Sequence, residues 1–129
     1  MTAAAQAQAQ TRLRRLTDAP QRLAVIEAIA RFPLKKDPDW KKLAKRLQPT
    51  EIEGIDAVPE GIFASGNDTS NTFEATATVY VRWDDEIDGR HTSSVEGLPA
   101  EVKGHFTTTN GALVAVVDAI AVDATSVLE

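Results

Sequence analysis

FEATATVYVRW, residues 73–83, alternates apolar and polar side chains without a break. Phe73, Ala75, Ala77, Val79, Val81 and Trp83 fall on one side, and Glu74, Thr76, Thr78, Tyr80 and Arg82 on the other. Successive side chains of a strand point to opposite faces, so this pattern specifies a β-strand with one face in a core and one outside it. Downstream, Asn110-Gly111 separates two further strand-like runs, Ala100 to Thr109 and Ala112 to Val122. Both central residues of a type I′ turn need positive φ, which Asn-Gly accepts readily, so a hairpin is predicted. A two-residue loop then sets the register. Phe106 should oppose Ala115, Thr108 should oppose Leu113, Gly104 should oppose Val117, and Val102 should oppose Ala119. The other face should bring Lys103 against Asp118, an opposite-charge pair worth about 0.2–1 kcal/mol. The last run is apolar on both faces, which predicts a central or doubly covered strand.

Between residues 51 and 64, Ile52, Ile55, Val58, Ile62 and Phe63 are interrupted by Gly54, Pro59 and Gly61, a pattern of two short edge strands. Residues 65–71 read as a polar loop, and residues 84–96 as a second loop or long hairpin tip before Gly97 and Pro99.

The opening third reads as helix. Leu13 and Leu16 follow an Ala/Gln alternation and are surrounded by Arg12, Arg14 and Arg15, which predicts a first helix with a ragged start, its first ten or so residues free to stay disordered. Thr17 or Asp18 can cap a second helix with Pro20 in its first turn. Leu23, Val25, Ile26, Ile29 and Phe32 form its stripe until Pro33 stops it. Asp37 as cap and Pro38 at the first position start a third helix, which ends near Leu47 before Pro49. Trp40, Leu43, Ala44 and Leu47 make its apolar side, and Lys41, Lys42, Lys45 and Arg46 the rest of its circumference. The predicted architecture is α+β: about three N-terminal helices packed on one face of a four- to five-stranded antiparallel sheet, in a single domain over residues 1–129.

Charge divides the chain where the predicted structure does. Residues 1–48 hold 11 Lys and Arg against 4 acids, a net of +7, whereas residues 49–129 hold 3 against 15, a net of −12. The overall −5 hides this asymmetry. With no cysteine there is no disulfide, no thiolate nucleophile and no cysteine-held zinc. No run approaches a membrane span and no apolar signal core opens the chain, so we expect a cytoplasmic location and no membrane partner.

Site chemistry is sparse. Asp84, Asp85, Glu86 and Asp88 before Gly89 resemble the start of a calcium loop, but the twelfth position is Val95 instead of a bidentate Glu, so no metal is expected. His91 lies near Ser93 and Ser94 without the strand-turn-helix setting or third group of a hydrolase triad, so no catalytic residue is assigned. No cofactor motif is present. What remains is an interaction module, an adaptor, assembly component or inhibitor, whose partner is another protein, in a larger assembly or a homo-oligomer. Its basic face would comprise Arg12, Arg14, Arg15, Lys41, Lys42, Lys45 and Arg46, and its acidic loop Asp84, Asp85, Glu86 and Asp88. Two alternatives compete with it. The basic helices could bind nucleic acid through phosphates. A ligand-binding or lyase-like domain could instead enclose a pocket between helices and curved sheet, lined by Tyr80, Trp83 and His105.

Overall fold

The computed structural model describes residues 13–65 and 71–128. Their order is β1 (Leu13–Arg15), α1 (Ala19–Arg31), a 3-10 turn (Leu34–Lys36), α2 (Pro38–Leu47), β2 (Glu51–Ser65), β3 (Thr72–Ile87), β4 (Arg90–Thr109), β5 (Ala112–Val122) and α3 (Thr125–Leu128). The strands form one antiparallel meander in sequence order, β1-β2-β3-β4-β5. The α+β class and the antiparallel sheet stand, but sheet dominates. Among the described residues the third helix lies at the C-terminal end and not at the N-terminal one.

Local chemistry explains both N-terminal helices. The Asp18 carboxylate accepts from Gln21 N at 3.1 Å, and the Asp37 carboxylate accepts from Trp40 N at 3.1 Å, each satisfying an amide that the first helical turn leaves unpaired. A proline follows each cap in the first turn. α2 stops at Gln48, whose left-handed backbone (φ 52°) returns its N–H to the Ala44 carbonyl ahead of Pro49.

α1 comes closest to β2 and β5, strands with two others between them. In a flat sheet those two would lie about 14 Å apart, more than the ~10 Å width of a helix, so the sheet curls around α1. Val25 and Ile29 of α1, Leu34, and Trp40 of α2 fill the concave side against Ile55, Ile62, Phe73, Val79, Val81, Leu98, Val102 and Ile120. The alternation at 73–83 holds: Phe73, Ala75, Ala77, Val79 and Val81 are buried, and the intervening residues face the uncovered, convex side.

Five expectations are corrected. Leu13–Arg15 is a strand pairing antiparallel with Phe63 to Ser65, not part of a helix, because the outer edge of β2 offers backbone partners there. Leu16 follows the strand in extended chain, its N–H donating to the Ile62 carbonyl at 2.8 Å, while the part of that helix before residue 13 and residues 66–70 of the loop lie outside the described residues. The two short strands before residue 65 are one 15-residue strand, interior to the sheet at its C-terminal end, with irregularities between Ile52 and Gly54 and between Ala57 and Ile62 that absorb Gly54, Pro59 and Gly61. Of the two readings of residues 84–96, the loop is wrong and the hairpin right, though the strands are paired almost to its tip. β3 and β4 pair from Thr72↔His105 to Ile87↔Arg90 in unbroken register, closed by Asp88 and Gly89 at φ 52° and 77°. This is a second type I′ turn, and Asp-Gly carries the same turn signal as Asn-Gly.

The 110–111 hairpin forms, with φ 52° at Asn110 and 78° at Gly111, and Phe106↔Ala115, Thr108↔Leu113 and Gly104↔Val117 pair as expected. Beyond Gly104 the register slips by one. Lys103 opposes Ala119 and Val102 opposes Ile120, so Lys103 and Asp118 are not partners. The slip has a packing cause. A Cβ on Gly104 would lie 2.2 Å from the Val116 carbonyl oxygen and 2.4 Å from the Phe73 ring. Phe73 thus lies across a bare backbone, 5.3 Å from the Phe106 ring centre, and the bulge at Asp118 returns Ile120 to the core face. Finally, among the described residues β5 is neither central nor doubly covered: it is an edge of the sheet.

Candidate functional site

The strongest charged feature is the outer side of α2 with the groove beside it. Lys41, Lys42, Lys45 and Arg46 are all exposed, as the stripe of Trp40, Leu43, Ala44 and Leu47 turns inward and leaves them nowhere else to point. Among the described residues no ion pair engages any of the four. Between α2 and the start of β2 runs an open groove of about 570 Å³. Trp40, Ala44, Pro49 and Ile52 give it an apolar floor, and Lys35, Lys41 and Lys45 stand on its rim. Lys35 also reaches Glu51 at 3.4 Å across the groove, with both side chains well exposed. Arg14 and Arg15 are exposed on β1 at the far end of β2, where it pairs with Phe63 and Ala64, so they do not join this patch. Arg12 lies outside the described residues.

The four acids expected on a loop sit instead on the β3–β4 hairpin and separate into two environments. Asp85, Glu86 and Asp88 are exposed near its tip, beside Ile87, which is 59% exposed. Asp84 is tied down. The Ser93 hydroxyl donates to its carboxylate, and the Arg82 guanidinium lies 3.2 Å away while also reaching Glu53 at 2.8 Å and Glu51 at 3.2 Å. The Ser93 hydrogen bond, followed by the Arg82 charge, holds the Asp84 carboxyl below its ordinary range, whereas Glu53 above all raises the Arg82 guanidinium. Thr50 links this cluster to the end of α2: its hydroxyl accepts from Asp84 N at 2.8 Å and its N–H donates to the Arg82 carbonyl. The basic helix and the acidic hairpin therefore grow from one end of the molecule.

Tyr80, Trp83 and His105 do not converge. Tyr80 is exposed on the convex face over Gly97, whose absent Cβ leaves room for its ring. Trp83 is on the opposite, concave face, and its indole N–H donates to the Leu47 carbonyl at 2.9 Å, closing the C-terminal end of α2. His105 is on the convex face, its Nδ1 2.8 Å from Asp118. A shallow hollow of about 550 Å³ on that face is lined by Thr76, Thr78, Pro99, Glu101, Ala121 and Asp123, and none of the three residues borders it. Ser93, considered beside His91, donates its hydroxyl hydrogen bond to the Asp84 carboxylate. Among the described residues no cluster of three or more His, Asp or Glu could hold a metal ion, and no helix is long and apolar enough to cross a membrane.

Two features of this surface escaped sequence reasoning. Thr50 carried no motif, because its role depends on β3 lying beside it. Arg82 was counted only as a polar residue of the alternation, although three acids of two strands gather on it. No protein-family model, curated protein or solved structure matches the chain.

Proposed function

We propose that this chain is a non-enzymatic interaction module, an adaptor, assembly component or inhibitor. It engages an acidic protein segment in the groove beside α2 and presents the acidic β3–β4 tip to a basic one. One observation carries this reading: Lys41, Lys42, Lys45 and Arg46 remain exposed and without ion pairs among the described residues, although the attached sheet is rich in acids. If the two halves merely neutralised one another, α2 would lie over those acids. Among the described residues only Lys35 of the helical-half lysines reaches one of them. An apolar floor under a lysine rim suits a segment that carries both carboxylates and an apolar anchor, since buried apolar contact supplies affinity and the rim charges supply orientation and encounter rate.

The test is charge reversal. A complex recovered from the native cells should be lost when Lys41, Lys42, Lys45 and Arg46 are all changed to Glu, or when Asp85, Glu86 and Asp88 are changed to Lys. It should also weaken as salt rises, and it should resist nuclease. Persistence of the complex in both reversed variants defeats the proposal. A complex that vanishes with nuclease would instead mark α2 as a phosphate-binding surface, with affinity falling linearly in log salt.

A further inference from the structure

We propose that β5 pairs edge to edge with β5 of a second copy, so that two curled sheets join into one ten-stranded antiparallel sheet. The inference starts from a mismatch. Ten of the eleven residues of β5 are apolar, on both faces, a composition nearly free of the charges that guard an exposed strand edge, yet among the described residues β5 pairs with β4 alone. Leu113 and Val114 are 44% and 38% exposed, and among the described residues no strand meets the outer row of amide and carbonyl groups.

The opposite edge shows that this chain does protect strand edges. β1 covers the end of β2, and the remainder of that edge carries Glu51, Glu53, Asp56, Glu60 and Pro59 with two breaks in register. Acids, proline and bulges are the devices that prevent strand addition, because they place charge, a missing donor or a bend where a new strand would dock. β5 has one bulge, no proline and one charge, Asp118, which already lies 2.8 Å from His105.

That contrast selects the occupant. A foreign strand would need its own apolar edge, and a β2 edge is blocked, whereas a second β5 matches by construction. A strand pairs antiparallel with itself across a twofold axis, and the contact closes after two copies because the two β5 edges consume each other and the β2 edge is blocked. α2 approaches the far end of β5, with Asp39, Trp40 and Leu43 near Ile120 to Val122, so the free stretch is 112–119. A dyad near Val116 would set Asp118 against Val114 of the other copy and keep the two carboxylates apart.

The test is sedimentation equilibrium of the full chain, with amide exchange on the same samples. The expected result is a dimer, and β5 amides whose protection rises with concentration while those of β2 do not change. Val114→Asp, at an exposed position that the dyad sets against Asp118 of the other copy, should raise the dimer dissociation constant by more than about tenfold and leave the circular dichroism intact. The proposal fails if the native chain stays monomeric into the millimolar range, if it forms open-ended fibres, or if exchange at β5 is independent of concentration. The exchange arm needs no variant, so a variant that fails to fold does not protect the idea.

Discussion

The two hairpins of the sheet turn through equivalent chemistry and diverge beyond it. Asp88-Gly89 and Asn110-Gly111 both turn in two residues of positive φ, as a type I′ turn requires, with nearly identical φ values. From the first, the register of β3 on β4 runs unbroken to Thr72↔His105; from the second, the register of β4 on β5 slips at Gly104. A turn sets the register of the pairs next to it, while packing farther along the strands decides whether that register continues. Here the Phe73 ring lies where a Gly104 side chain would be, and the bulge at Asp118 is what returns Ile120 to the core. The hairpins also differ in character. One ends in exposed acids, the other in Leu113 and Val114, and these ends underlie the two kinds of contact proposed above.

The sharpest way to break this comparison is at the slip. Gly104→Ala brings a methyl group onto the Val116 carbonyl and the Phe73 ring and should cost about 3 kcal/mol or more in urea unfolding, at the upper end of overpacking effects. A loss under about 1 kcal/mol would show that packing at Gly104 does not set the slip.

The turns should respond alike. Gly89→Ala and Gly111→Ala each force a Cβ into positive φ (77° and 78°) in open space, at about 1–2 kcal/mol apiece. A marked inequality would mean that one hairpin depends on its turn more than the other. Trp83→Phe, which removes the donor to the Leu47 carbonyl, should cost about 1 kcal/mol beyond its change in packing and loosen the end of α2 first in amide exchange.

Smaller effects distinguish the two registers. A double-mutant cycle on His105 and Asp118 should show coupling of a few tenths of a kcal/mol, about 0.5 at most, while the cycle on Lys103 and Asp118 should show none. The reverse outcome would restore the unslipped register.

Asp84 offers a pH test at the other hairpin. Its folded pKa is depressed, so its contribution to stability is present above the ordinary aspartate value and is lost as pH falls through the lower folded one. Asp84→Asn should flatten the acid limb of the stability curve. Ser93→Ala should raise the Asp84 pKa in an NMR titration, and no movement would show that Arg82 alone holds it down.

Much of this fold was legible because it rests on short-range rules. Caps at Asp18 and Asp37, a proline after each, the stop before Pro49 and the period of two at 73–83 depend on residues a few positions apart. Four errors share a different origin. Leu13–Arg15 resembled helix in its spacing and became strand because an edge was free to pair with it. Asp84–Asp88 resembled loop because four acids suggest solvent, yet strand backbone needs partners, not apolar side chains, when both faces are wet. Lys103 and Asp118 were separated by a bulge whose cause, the Phe73 ring, lies on a third strand. β5 looked central from its composition and is an edge. Of the candidate site, the basic stripe of α2 was readable from helical period. The groove beside it was not, because Ile52 and Glu51 come from another element.

Sequence alone determined the two capped helices α1 and α2, the strand at 73–83, the Asn110-Gly111 turn and the division of charge between helical and sheet halves, since propensity, capping and periodicity act within one or two turns of chain. Only tertiary structure decided the curl of the sheet around α1, the slip at Gly104, the gathering of Glu51, Glu53 and Asp84 on Arg82, and which edge was left open. Those outcomes depend on which side chains from distant segments compete for the same volume, and that competition exists only once the chain has closed on itself.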